Sequence, residues 1–117
     1  MPGVEECLFC KIIAGEIPST KVLETERTYA FRDIQPQAST HVVVVPREHY
    51  PNAAALAEAD PDLAGALLTA AGEVARLEGV AESGYRLVFN TGPDANQTVA
   101  HVHLHVLGGR PFGWPPG

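Results

Sequence analysis

Apolar and polar positions alternate with a period of two in several short runs of this chain. "TKVLET" (20–25) and "TYAFRDI" (28–34) are two such runs, and the polar "TER" between them predicts a hairpin. "THVVVVP" (40–46) is β-branched, strongly apolar and stopped by Pro46, so it predicts a central strand. "GYRLVFNTG" (84–92) and "HVHLHVLGG" (101–109) predict two more strands, joined by the loop "PDANQTVA". Helical spacing occurs twice. "ECLFCKIIAGEIPS" carries apolar residues at 8, 9, 12 and 13, which predicts a short helix burying Leu8, Phe9, Ile12 and Ile13 and ending at Gly15. Asp60 and Pro61 then suit the N-cap and first position of a long helix. Leu63, Leu67, Val74 and Leu77 form its apolar stripe, and Gly79 lies near its end. The pattern predicts an α+β fold: an antiparallel sheet of about five strands, one long helix and a short N-terminal helix. The chain is expected to be one domain over 1–117, with a core at 7–110 and a Gly/Pro-rich tail at 111–117.

Bulk properties narrow the function. The 117 residues suffice for one modest core. Eight Lys and Arg against 14 Asp and Glu leave a net charge of −6, which argues against non-specific nucleic-acid binding but not against a small anion held by local donors. No run approaches the ~20 apolar residues of a membrane span, and "MPGVEECLFCKI" lacks the basic start of a secretory signal. A cytoplasmic protein without membrane or nucleic-acid partners is therefore expected. In that setting Cys7 and Cys10 suit metal ligands or free thiols better than a disulfide.

The chemistry concentrates in the last strand. At ~3.3 Å per residue, His101, His103 and His105 share one face about 6.6 Å apart, while Val102, Leu104 and Val106 take the other. Asn90, Gln97 and Thr98 lie beside this row and either bind a ligand or close a loop. Imidazoles and neutral donors without a carboxylate in the row suit phosphate. A neutral histidine can attack phosphorus if a backbone carbonyl holds its other proton, and His103, flanked on both sides, is the best-placed nucleophile. The residues alone also allow a zinc enzyme using all three histidines. "CLFC" is half of a tetrahedral zinc site and needs two more ligands.

"HVHLHVLGGR" matches the histidine-triad signature, and "DIQPQASTHVVVVPREH" with the closing "WPPG" resembles the Hint branch of that family over nearly the whole chain. The resemblance implies the family fold and a homodimer. It implies hydrolysis or transfer of purine nucleoside phosphoramidates, releasing AMP or GMP, through a nucleotidyl-histidine on His103. His105 and His41 would complete the catalytic set. Asp33 would take the ribose hydroxyls, and Leu8, Phe9, Ile12, Phe31 and Ile34 would wall the base. Asn90, Gln97, Thr98 and His105 would contact the α-phosphate. It also implies one structural zinc per chain, held by Cys7, Cys10, His49 and His101. A dinucleoside polyphosphate hydrolase, or a nucleotide-binding module without useful turnover, is the alternative. Two departures stand out, Asn96 and Thr98: the family often has Gly-Gln-Ser where this chain has Asn96-Gln97-Thr98.

Overall fold

A computed structural model describes residues 6–117; the reading of residues 1–5 lies outside it. Five strands form one antiparallel sheet: β1 (Lys21–Glu24), β2 (Thr28–Arg32), β3 (Thr40–Pro46), β4 (Tyr85–Phe89) and β5 (Leu104–Gly108). Their order is β1-β2-β3-β5-β4, so β3 is central and β4 is an edge. Among the described residues three α-helices accompany it: α1 (Leu8–Ile13), α2 (Ala53–Ala59) and α3 (Pro61–Leu77). No helix of the described residues is long and apolar enough to cross a membrane.

The apolar run of β3 follows from cover on both faces. Val42 and Val44 pack with Leu104 and Val106 against Leu63, Leu67 and Val74 of α3. Val43 and Val45 point the other way, onto Phe9 and Ile12 of α1 and Phe31 of β2. Helix α3 begins as its sequence predicts: Asp60 accepts the Leu63 amide at 3.1 Å, and Pro61 occupies the first turn. The alanine-rich segment before it forms a separate helix, α2. Asn52 caps α2, and the chain breaks where Asp60 turns to an extended φ of −151°.

Three expectations need correction. Leu8 is 44% exposed and Leu77 is 55% exposed, so neither joins the core. Ile13 is only partly buried. Leu8 begins a six-residue helix whose inward face is filled by Phe9 and Ile12, and Leu77 ends α3. The histidine row is also not one continuous strand. Pairing with β3 ends at Val44–Leu104, and the Val102 amide instead donates to the Tyr50 carbonyl at 2.7 Å. His101 and His103 therefore precede the paired strand, and only His105 lies within it.

Candidate functional site

The face of the sheet opposite α3 is only partly covered. Helix α1 shields Val43 and Val45, while His41, Val88, His103, His105 and Leu107 line an open cleft of about 470 Å³. Strand register explains this grouping. His105 pairs with Val43 on one side and Val88 on the other, and Leu107 pairs with His41, so His41, Val88, His105 and Leu107 share one pleat face, which His103 joins from just before the strand.

Hydrogen bonds fix the proton on each ring. His103 Nδ1 lies 2.8 Å from the His101 carbonyl, an acceptor only, so Nδ1 carries the proton and Nε2 keeps a free lone pair. The Gln37 amide donates to His41 Nδ1 at 3.0 Å, which leaves the proton of His41 on Nε2. His41 Nε2 donates to His105 Nδ1 at 2.9 Å. His105 then holds its own proton on Nε2. One imidazole thus offers a lone pair and its neighbour a donor, with ring centroids 5.0 Å apart.

Burial favours this neutral state. It lowers the pKa of His103 and His41, against the opposing pull of the Asp33 carboxylate on both. It takes His105 from 6.5 to about 4, helped by His103 and His41. The linkage has a definite sign. In the unfolded chain these histidines gain protons as pH falls through 6.5, while the folded chain resists until lower pH. Their contribution to stability is therefore intact above 6.5 and lost as pH falls below it, for His105 toward 4. A melting temperature lower by about 5 °C or more at pH 4.5 than at pH 7 is expected for the metal-free protein. A flat profile in differential scanning calorimetry would contradict this protonation scheme.

A second cavity of about 270 Å³ adjoins the cleft and is mainly apolar. Leu8, Phe9, Ile12, Phe31 and Ile34 line it together, although Ile34 is 94% exposed at its rim. Asp33 and Thr98 line both cavities and so mark their junction. Asn90 reaches the cleft, and Asn96 joins it from a left-handed turn at φ 61°, a conformation that asparagine tolerates in place of glycine. Gln97 behaves differently. Its side-chain amide donates to the Pro51 and Val99 carbonyls and its oxygen accepts the Gly92 amide, so its polar atoms tie the loop together. Sequence reasoning missed Gln35, Gln37, Val88 and Leu107 in the cleft. The signal for Val88 and Leu107 was their alternation with the opposite face.

The cysteines form a separate centre. Sγ of Cys7 and Cys10 and Nδ1 of His49 and His101 lie within 4.8 Å of one another. His101 Nδ1 stands 3.4 Å from Cys7 Sγ and 3.5 Å from Cys10 Sγ, and His49 Nδ1 is 3.5 Å from Cys10 Sγ. A tetrahedral zinc with ordinary bond lengths separates sulfur from nitrogen by about 3.5 Å. His101 Nε2 donates to the Pro46 carbonyl at 2.9 Å, which frees Nδ1 to act as a ligand. Without metal, burial and then the bond and charge of Cys7 push the Cys10 thiol up to about 11. These residues fit a metal ion. Asp33, His41 and His105 also lie within 4.8 Å of one another, but the Gln37 amide keeps the His41 proton on the nitrogen such an ion would need. His103 belongs to neither group, so the three triad rings do not converge on one ion.

The HIT domain model matches residues 14–112. The chain belongs to the HIT domain family. Among its relatives, a purine nucleoside phosphoramidase from Escherichia coli is 44% identical over 93% of this chain and 92% of its own length. A 14 kDa zinc-binding protein from Zea mays is 48% identical over 94% of this chain and 87% of its own. The crystal structure of a HIT family hydrolase from Legionella pneumophila superposes with a TM-score of 0.92 at 48% identity, covering 96% of this chain and all of the other. The domain match takes in the cleft histidines, His49 and His101 of this HIT protein and begins after Cys7 and Cys10.

Proposed function

We propose that this HIT protein is a hydrolase of phosphorus–nitrogen bonds that cleaves purine nucleoside 5′-phosphoramidates through a nucleotidyl-histidine. The observation that carries the reading is the tautomer of His103: its proton is held by the His101 carbonyl, and Nε2 is the nitrogen with a free pair. Nε2 attacks the α-phosphorus, the bond to the leaving amine breaks, and the amine nitrogen takes a proton from solvent, which the attacking water of the next step returns. Water then attacks the same phosphorus and releases the nucleoside monophosphate from His103. His105 donates from Nε2 to a phosphate oxygen, oriented by His41. Asn90 and Thr98 add neutral donors, and Gln97 holds the loop that carries Thr98. Asp33 accepts the ribose hydroxyls at the junction of the cavities, and the apolar walls receive the base. The test is a rapidly quenched reaction with an adenosine phosphoramidate. The peptide containing His103 should gain the mass of one AMP; an adduct on any other residue defeats the mechanism.

The cysteine–histidine centre holds one structural zinc. All four positions are taken by protein, so the ion's part is to tether α1 to the segment bearing His101 and His103. The chain works as a homodimer. Edge strand β4 exposes Tyr85, Leu87 and Phe89 on the α3 side of the sheet, where Leu68 and Leu77 are also exposed. An unpaired edge beside exposed apolar side chains suits a second copy across a two-fold axis. Light scattering should give twice the 12.5 kDa chain mass for the wild type and a single chain for Leu87→Glu. A wild-type monomer at assay concentration would remove the dimer from the proposal.

A further inference from the structure

The tail, too irregular in sequence to fold alone, is held by two arginines. Arg110 stacks on the Phe112 ring with Cζ 4.3 Å from its centre, and Arg86 does so at 5.0 Å. Arg86 also donates to the Gly113 carbonyl at 2.9 Å. Arg110 has a second task. Its Nε donates to the Gln37 carbonyl at 3.2 Å, while the Gln37 amide donates to His41 Nδ1. Both groups flank one Cα. A second tie runs beside this one: Ser39 Oγ donates to the Gly109 carbonyl at 3.3 Å. Gly109 has φ +89°, and a Cβ there would lie 1.9 Å from Ser39 Oγ. The loop over residues 33–39 and the start of the tail are thus fitted against each other.

We propose that Arg110 is a positioning residue that couples the C-terminal tail to the active-site histidines. Clasped on Phe112, it fixes the Gln37 backbone. Gln37 then aims its amide at His41, and His41 keeps its Nε2 proton directed at His105. The consequence for turnover rests on the catalytic reading above; the consequence for the histidine tautomers does not.

Long-range proton–nitrogen NMR of the zinc-loaded, ligand-free protein tests the coupling, because it separates protonated from bare ring nitrogens. Wild-type His41 should show a bare Nδ1 and a protonated Nε2. Arg110→Met should blur this into a mixture of tautomers. It should also lower kcat about threefold to tenfold, the scale of one lost hydrogen bond, with KM within about twofold of wild type. Arg110→Lys keeps a donor for Gln37 and should restore most of the wild-type pattern. Arg86→Met loosens the tail without touching Gln37 and should leave the His41 nitrogens as they were. A wild-type His41 pattern in Arg110→Met overturns the proposal, whatever happens to kcat. A shifted pattern in that variant, with no AMP adduct on wild-type His103, leaves the coupling standing and removes the catalytic reading.

Discussion

His103→Ala is expected to lower turnover of an adenosine phosphoramidate by at least about three orders of magnitude, the scale seen when a covalent catalyst is lost. The ring contributes the one free nitrogen pair whose partner proton is already held, by the His101 carbonyl at 2.8 Å. No other residue in the cleft combines those features. His41 spends Nδ1 on Gln37, and His105 spends Nδ1 on His41. The variant should still fold, because Leu104 and Val106 on the opposite face carry the core packing of β5. It should also still bind AMP, since Asp33 and the apolar cavity remain. His105→Ala should cost less, because the proposed phosphate contacts would be shared with Asn90 and Thr98. Steady-state kinetics and calorimetric titration with AMP separate these effects. Turnover near the wild-type rate in His103→Ala would sink the mechanism.

Removing the metal ligands should have the largest effect on stability. Purified protein is expected to contain about one zinc per chain. Cys10→Ala should lose most of that zinc and melt about 10 °C or more below wild type. The cost exceeds that of a buried methyl group because the centre joins three segments: α1, the stretch after β3 that bears His49, and the approach to β5. Part of the activity should survive, since Cys7, Cys10, His49 and His101 do not line the cleft. Metal analysis with thermal denaturation decides the matter. Zinc-free wild type, or a chelated protein with an unchanged melt, would refute a structural zinc.

Much of this arrangement was legible in the sequence, because period-two alternation reports which face a side chain takes. It put His105 opposite Leu104 and Val106, and it picked out β3 as central. The N-cap at Asp60 was equally plain. Periodicity cannot report where a covering layer stops, so Leu8 and Leu77 read as core although both are exposed. Nor does it show where a ladder ends: the Val102 amide is diverted to Tyr50, a partner 52 positions away in sequence. The backbone contributions were invisible for a different reason. The Gln37 amide and the His101 carbonyl set the tautomers, and every residue type except proline carries the same two groups. Gln97 shows the converse, with a side chain whose chemistry suits a ligand but whose atoms are committed to the loop.

Asp33 and Thr98 border both cavities, so the junction between them has an energetic meaning. A nucleoside alone and inorganic phosphate alone would each lose translational and rotational freedom separately on binding. A nucleotide loses it once while filling both spaces, and its second half engages at a high effective concentration. Affinity for the joined molecule should therefore exceed the product of the two fragment association constants. The same linkage favours retention of the monophosphate once the amine has left. On the proposed reaction, a site that grips the whole nucleotide well should release it slowly, so product departure should set the pace for good leaving groups and bond cleavage for poor ones.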